Sequence, residues 1–146
     1  MRPLPSTPDP ITVAALAPDA PGKPAVSLDG RTATITWDVP AANGSPITGY
    51  TVAGTNGAGT KSVDATTTEV SFPGLTRGQA YAFTVTATNA IGDSAASPAS
   101  DDLKLVAPPT RLRPPTVVVT GRRATIRWRA ASSNGSPITR YLIDVS

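Results

Sequence analysis

The hexapeptide NGSPIT occurs twice in this chain of 146 residues, at positions 43–48 and 134–139. The copies lie 91 residues apart, and the similarity extends upstream to GRTATITW and GRRATIRW. Repetition at a fixed period indicates one structural unit used more than once. The period therefore predicts one complete unit followed by the start of a second, although a chain of this length would otherwise suggest a single domain.

Apolar and polar residues alternate along short segments of the complete unit. The alternation is found at positions 26–28, 33–37, 50–52, 70–72, 81–88 and 103–105. A period of two marks half-buried strands, and turn-forming pairs such as Asp29-Gly30 and Pro73-Gly74 separate the segments. No helical periodicity of useful length is present. The pattern predicts an all-β fold, an antiparallel sandwich of seven strands.

Three regions follow from the period. Residues 1–19 form a Pro-rich lead-in, residues 20–107 the complete unit, and residues 108–146 the first three strands of an incomplete second copy. The apolar run at 11–16 is followed by a Pro-rich connector, as is the run at 103–106. It is either the last strand of an earlier unit or a segment that packs on the complete unit or stays loose.

The second copy lacks counterparts of the later strands, so its inner face would have no opposing sheet. Each large apolar side chain left in water forfeits about 1.5–3 kcal/mol. We expect this remnant to be disordered, to pack on the first unit, or to be completed by another chain. The simplest explanation of the pattern is a segment of a longer array of repeats.

Four features stand out together: Trp37, the segment NGSPITGYTV, the stretch from Leu75 to Tyr81, and TVTATNAIGDSAAS after it. In this combination they resemble the fibronectin type III family, especially its bacterial members. The resemblance implies an immunoglobulin-like sandwich in which the Tyr81 hydroxyl bonds to nearby backbone as a tyrosine corner, with Leu75 packed beneath it. The expected structural core residues are Trp37, Tyr50, Phe72, Leu75, Tyr81, Phe83 and, in the second copy, Trp128.

Composition argues against a catalytic role. The chain has no histidine and no cysteine, which removes the commonest general base and the commonest metal ligands. The only adjacent carboxylates are Asp101 and Asp102, and we expect them to be solvated in a turn. No nucleophile elbow, phosphate-binding loop or metal-ligand spacing is present. The sequence predicts a protein that is not an enzyme and has no cofactor or metal site.

Charge divides the chain unevenly. Residues 1–110 carry six basic and nine acidic side chains, whereas residues 111–146 carry seven arginines and one aspartate. Arg127 and Arg129 alternate with Ile126 and Trp128, so we expect them to project outward. The candidate surface for an anionic partner consists of Arg111, Arg113, Arg122, Arg123, Arg127 and Arg129.

An anionic wall polymer, a nucleic acid or the acidic first unit of a neighbouring chain would each suit such a surface. A solvated face enriched in arginine is the simpler interpretation, and the sequence alone favours it. Proteins that bind nucleic acids usually interleave exposed aromatics with the charges. Here the aromatics are predicted to point inward or to pair, which disfavours nucleic acid.

Three further motifs are interpreted as structural. Ile91-Gly92-Asp93-Ser94 stands where some members of the resembling family carry an adhesion motif, but it lacks the arginine, so we expect a hairpin turn. Asn43-Gly44-Ser45 and Asn134-Gly135-Ser136 match the N-glycosylation pattern, but Asn-Gly also forms turns, which we favour. The connector APPTRLRPPT suits a semi-rigid spacer better than a proline-rich ligand.

These observations predict a non-catalytic structural or interaction module, a spacer or binding unit of a larger extracellular or cell-surface protein. One alternative is a virion structural or decoration protein that self-assembles; another is an accessory domain of a secreted polysaccharide-degrading enzyme. A protein partner or self-association is expected. No apolar segment is long enough to span a membrane, and the N-terminal sequence MRPLPSTPDP does not resemble a signal peptide.

Overall fold

The computed structural model describes residues 2–145, and all regular secondary structure in this range is β. The strands are β1 (Ala25–Asp29), β2 (Thr32–Thr36), β3 (Ile47–Gly54), β4 (Gly59–Asp64), β5 (Glu69–Phe72), β6 (Ala80–Tyr81), β7 (Phe83–Asn89), β8 (Leu103–Lys104), β9 (Thr116–Thr120) and β10 (Arg123–Arg127). Every strand pairing is antiparallel. None of the described residues belongs to a helix that could cross a membrane.

Two three-stranded sheets form the complete unit, in the orders β1-β2-β5 and β4-β3-β7. Their inner faces meet in one buried apolar cluster. The period-two pattern places it: Ala33 and Ile35 on β2, and Phe83, Val85 and Ala87 on β7, have no exposed surface. The all-β sandwich predicted from the alternation is therefore found.

The count of seven strands differs from the structure, which has eight strands between residues 25 and 104. The predicted sixth strand is divided at Ala82, whose backbone exchanges hydrogen bonds with Thr55. As a result β6 pairs with β8, whereas β7 pairs with β3. The side-chain alternation continues across the break, because Tyr81 and Phe83 are both buried.

The outer edge of β7 is covered by a segment that is not a strand. Ser94, Ser97 and Ser100 are buried, and we call them the serine ladder. Their backbone N–H groups donate at 2.8 Å to the carbonyls of Ala87, Val85 and Phe83, and their hydroxyl oxygens accept from the N–H groups of the same three residues at 2.9–3.0 Å. Within residues 94–100 the serines that bond to β7 recur at every third position, so this segment does not have the period of two of a strand.

The opposite edge of this sheet is protected by a lysine that points inward. Lys61 on β4 lies opposite the buried Val52, so its side chain lies on the inner face of the sheet. Its ammonium donates to the carbonyl of Ser71 at 2.6 Å and lies 5.3 Å from the centre of the Phe72 ring. An inward charge on an edge strand discourages pairing with another chain.

The tyrosine corner implied by the family resemblance is present. The Tyr81 hydroxyl accepts from the backbone N–H of Thr76 at 2.9 Å and donates to Gln79 Oε1 at 3.2 Å. Leu75 is buried in the same core cluster. The Tyr81 hydroxyl therefore ties the turn between β5 and β6 to the core.

The second copy forms only a two-stranded hairpin, β9 with β10. The third strand predicted for it is wrong for the described residues, because 128–145 contain no strand. In the first copy the equivalent strand β3 lies between β4 and β7 and pairs with both. The described part of the second copy offers no counterpart of either neighbour, so no ladder holds this segment extended.

The two copies differ in how much of their paired tryptophan and tyrosine side chains is buried. Trp37 and Tyr50 are 6% and 1% exposed and meet edge to face at 5.3 Å between ring centres. Trp128 and Tyr141 also pair, at 5.7 Å, but are 40% and 36% exposed. The prediction of Trp128 as a core residue is therefore wrong, because no second sheet covers it; the other six predicted core residues are buried.

Candidate functional site in the linker loops and charged faces

The NGSPIT loop follows β2 and turns sharply at its Asn-Gly pair. Asn43 and Gly44 have φ of 54° and 87°, and Asn134 and Gly135 have 47° and 95°. Asparagine is among the few residues that tolerate positive φ, and glycine adopts it without steric cost. Both copies therefore form the turn that the Asn-Gly pair predicts.

The first loop binds the residues that lead into the unit. Leu16 N–H donates to the Asn43 carbonyl at 2.9 Å, and Asp19 N–H donates to the Ala41 carbonyl at 3.0 Å. In return Asn43 Nδ2 donates to the Ala17 carbonyl at 3.0 Å and to Asp19 Oδ1 at 2.9 Å. We call this set of hydrogen bonds, between residues 16–19 and the loop, the first linker clamp.

Asn89, at the end of β7, closes the first linker clamp from the other side. This side chain is only 4% exposed. Its Nδ2 lies 2.7 Å from the Leu16 carbonyl oxygen and 3.1 and 3.2 Å from those of Ala42 and Ser45. Its Oδ1 accepts two backbone N–H groups of the turn that follows. One buried amide thus joins the linker, the NGSPIT loop and the end of a core strand.

Three hydrogen bonds of the first linker clamp recur in the second copy, each shifted by 91 residues. Ala107 N–H donates to the Asn134 carbonyl and Thr110 N–H to the Ser132 carbonyl, both at 3.1 Å. Asn134 Nδ2 donates to the Pro108 carbonyl at 2.8 Å. This second linker clamp forms although no third strand does, so the linker contacts do not depend on a closed sandwich.

The loop also packs against the chain that precedes each linker. A Cβ atom on Gly44 would lie 3.4 Å from Ala15 Cα, and one on Gly135 would lie 3.3 Å from Lys104 Cε and 3.7 Å from Val106 Cγ1. Lys104 belongs to β8, the last strand of the first unit. The second NGSPIT loop therefore touches the unit before it, which places the loop at the joint between consecutive units.

This arrangement gives the asparagine amides a structural use. The nitrogen that a glycan would occupy on Asn43 or Asn134 already donates to the linker backbone. The geometry supports the interpretation of both motifs as turns. The Ile91–Ser94 segment also forms a turn, since Asn89 N–H donates to the Gly92 carbonyl and Ser94 N–H to the Ala87 carbonyl.

The six arginines singled out from the sequence lie in different places. Arg123, Arg127 and Arg129 lie on the face of β10 and its continuation opposite to Ile126 and Trp128. Arg122 lies in the hairpin turn, Arg111 in the connector, and Arg113 beside the uncovered inner face. They do not form one strip. We call the outward face that carries Arg123, Arg127 and Arg129 the basic face.

The inner side of the same hairpin is an open apolar cavity of about 190 Å³. Its lining residues are Leu112, Arg113, Pro115, Ile126, Trp128, Tyr141, Leu142, Ile143 and Asp144. Ile126, Trp128 and Tyr141 in this lining correspond to Ile35, Trp37 and Tyr50, which the second sheet buries in the first copy. The cavity is thus an uncovered core.

Two of the carboxylates, Asp64 and Asp101, bond to nearby side chains of the fold. Asp101 forms a salt bridge with Lys23, and both Asp101 and Asp102 are exposed, as predicted. Asp64 accepts from the hydroxyls of Thr66 and Thr67 at 2.7 and 2.9 Å, and these hydrogen bonds lower the pKa of its carboxyl. Burial raises the pKa of the Tyr50 phenol. Residues 2–145 contain no cluster of three or more acidic side chains suited to a metal ion.

Sequence reasoning missed the linker clamps. It interpreted the NGSPIT loops as turns only, and it did not single out Asn89. The recurrence of the loop at a constant distance from a Pro-rich connector was a usable signal, since both elements keep the same offset in each copy. Which backbone groups they join depends on how the sandwich closes, and no local pattern encodes that.

Comparison with known proteins agrees with this geometry. The model of the fibronectin type III domain matches residues 19–102. Exoglucanase B of Cellulomonas fimi is 35% identical over 134 residues; the alignment covers 86% of this chain, beyond residues 19–102, but only 12% of that protein.

Solved structures show the same fold. A structure of titin kinase and its flanking domains is 28% identical with a TM-score of 0.53, covering 62% of this chain and 18% of that one. Domains A168–A170 of titin are 29% identical with a TM-score of 0.52, covering 60% and 32%. The family match covers β1 to β7 and the tyrosine corner, more than half of the chain, and the chain therefore belongs to the fibronectin type III domain family.

Proposed function

We propose that this chain is a non-catalytic spacer whose units are joined at fixed angles by the linker clamps. The observation that supports this most directly is that Leu16–Asn43 and Ala107–Asn134 form the same backbone hydrogen bond at both linkers. A flexible tether would not need its backbone bonded to the next unit. A spacer that sets distance and direction would.

The energetics of the linker are consistent with this role. Ordering each backbone residue costs about 1–2 kcal/mol, and each hydrogen bond contributes a net of about 0.5–1.5 kcal/mol. In the first clamp two backbone bonds and the amides of Asn43 and Asn89 act on only four residues. Pro18 and Pro108 lower the cost further, because the ring already fixes φ. The hydrogen bonds of the first clamp therefore offset most of the cost of ordering these four residues.

The similarity to Exoglucanase B supports a particular kind of host. We infer a larger enzyme that degrades polysaccharides outside the cell, in which this segment is an accessory spacer between other parts. A spacer of another extracellular or cell-surface protein is the broader form of the same proposal. The virion hypothesis has no comparable support.

The first test measures amide hydrogen exchange in the whole chain carrying Asn43→Gly. Glycine keeps the positive φ but removes the side-chain donor to Ala17 and Asp19. We expect exchange at Leu16 and Asp19 to become about tenfold faster, since two hydrogen bonds are lost. The control is Asn56→Gly, which has the same dipeptide and a φ of 51° but bonds to Ala80 instead. Equal exchange in the two variants would contradict the proposal.

The second test asks whether the joint is rigid. Residual dipolar couplings of β1–β8 and of β9–β10 are measured in the native chain and in Asn134→Gly. If the joint is fixed, one alignment tensor fits the couplings of β1–β8 and those of β9–β10. We expect the couplings of β9–β10 to shrink in the variant, because the bond from Asn134 to Pro108 is lost. Independent tensors in the native chain would exclude the spacer with fixed joints.

A further inference from the structure

The basic face carries its charge at two ends. In the hairpin register Arg123 lies opposite Thr120 near the turn, and Arg127 lies opposite Thr116 at the far end. Four residues of strand separate the two arginines, about 14 Å. Arg129 extends the far end. The centre between them is formed by the pair Thr125 and Val118, which carries no charge and exposes one apolar side chain.

The first unit has a matching surface of opposite sign, formed by the outer side of β1, β2 and β5. Asp29 lies opposite Thr32 near the turn of the β1–β2 hairpin. At the far end Glu69 lies opposite Thr36, and Asp38 follows β2 with the same outward orientation. The centre consists of Ser27, Thr34 and Ser71, all uncharged. We call this surface the acidic face.

The β1–β2 part of the acidic face and the β9–β10 basic face are copies of one hairpin that carry different charges. A shift of 91 residues converts Thr32, Thr36 and Asp38 into Arg123, Arg127 and Arg129, and Asp29 into Thr120. The charged residues of both faces are exposed. Within residues 2–145 the only salt bridge is Lys23–Asp101, so none of these charges forms a salt bridge with another described residue.

The geometry points to self-recognition: the basic face of one copy of the chain binds the acidic face of a second copy. The charges stand at the two ends of each hairpin, and the uncharged centres lie between them. When the faces are apposed, Arg123 meets one acidic end, and Arg127 with Arg129 meets the other. The complementarity follows from charges of opposite sign at the corresponding ends of the two faces.

A second copy fits this surface better than a linear polyanion does. A charged polymer binds best along a continuous track of cations, often with exposed aromatics beside it. The basic face has instead a neutral gap with Val118 at its centre, and its hairpin aromatic, Trp128, lies on the other side. An apolar centre with a charged rim is the usual plan of a protein–protein contact.

The contact is expected to be weak and to depend on salt. Two faces of two or three short strands bury less surface than a stable complex requires, which places the contact among transient ones. The Debye length falls from about 30 Å at 0.01 M salt to about 3 Å at 1 M. Association should therefore be measurable at low ionic strength and should disappear at high ionic strength.

The experiment is sedimentation equilibrium of the full chain over a range of salt concentrations, with three variants. The first reverses the basic face, Arg123→Glu with Arg127→Glu. The second reverses both faces by adding Asp29→Arg and Glu69→Arg, which restores the native net charge of +3. The third is a control with the same change in net charge as the first but away from the face, Arg111→Glu with Arg140→Glu. All of these positions are exposed.

We expect the native chain and the control to self-associate at low salt, the first variant to associate about tenfold more weakly or worse, and the doubly reversed variant to recover. Recovery requires that the two faces meet each other. A native chain that is monomeric at low salt would overturn the inference. So would equal loss in the control, or a doubly reversed variant that stays monomeric. Added heparin or duplex DNA that binds the native chain more tightly than a second copy does would assign the face to a polyanion instead.

Discussion

The two copies of the repeated hairpin carry almost the same inward side chains but bury them to different extents. Trp37 on the first copy is 6% exposed, and Trp128 on the second is 40% exposed, although each is followed by the same loop and a partner tyrosine. The difference arises from the second sheet, which covers the first copy only. Burial is therefore a property of the closed sandwich, whereas the hairpin and its linker clamp form without one.

The largest expected difference between the copies concerns these tryptophans. We expect Trp37→Ala to lower the free energy of unfolding of the first unit by about 3–5 kcal/mol, because it leaves a large cavity in a closed core. Trp128→Ala should lower the free energy of unfolding of the first unit by about 1 kcal/mol or less. Urea unfolding followed through the amide signals of β2 and β7 measures both. Similar losses in the two variants would mean that the second hairpin supports the first unit.

Removing one hydroxyl of the serine ladder should have an intermediate effect, because only the closed copy has a covered edge. Ser97→Ala leaves the buried N–H of Val85 without its acceptor, which costs about 1–3 kcal/mol. Amide exchange at Val85 should accelerate accordingly. Ser62→Ala serves as the control, since this exposed hydroxyl bonds only Thr51 at 3.2 Å. A stability equal to that of the control would show that the ladder does not stabilise the edge.

The smallest effect is expected at Asp64, in a turn that has no counterpart in the described part of the second copy. Hydrogen bonds from Thr66 and Thr67 lower the pKa of this carboxyl in the folded state. A lowered folded-state pKa means that the stabilisation is present above the unfolded-state pKa and is lost as pH falls through the folded-state value. Asp64→Asn should therefore destabilise the unit slightly at neutral pH and not in strong acid.

Thermal unfolding from neutral to acid pH checks the Asp64 prediction, with Asp102→Asn as the control at an exposed aspartate. The difference between the Asp64 variant and the native chain should shrink as the solution becomes more acidic. A difference that stayed constant across this range would show that the loss comes from a rearranged turn and not from the charge.

The sequence predicted well what depends on local pattern. The period of two in β2 and β7 located the buried faces, because successive side chains of a strand point to opposite sides. The family resemblance correctly implied the hydrogen bond of Tyr81. The Asn-Gly pairs correctly predicted turns at Asn43 and Asn134, where the structure has positive φ.

Other features depend on contacts between distant segments and were not predictable in this way. The serine ladder has a period of three and joins residues whose pairing only the closed fold defines. Lys61 was not singled out, because nothing local shows that its strand is an edge or that its side chain points inward. The prediction of a third strand in the second copy was wrong for the same reason. A strand there would need neighbouring strands to pair with, and the described residues do not provide them.

The linker clamp changes where one module should be considered to begin. The family match starts at residue 19, yet Leu16 and Ala17 are bonded to Asn43, and Asn89 reaches back to the same segment. A module excised at residue 19 for recombination would lose the part that orients it against its neighbour. Chimeras cut before residue 15 should carry their own joint with them, so that the angle between units is inherited with the module.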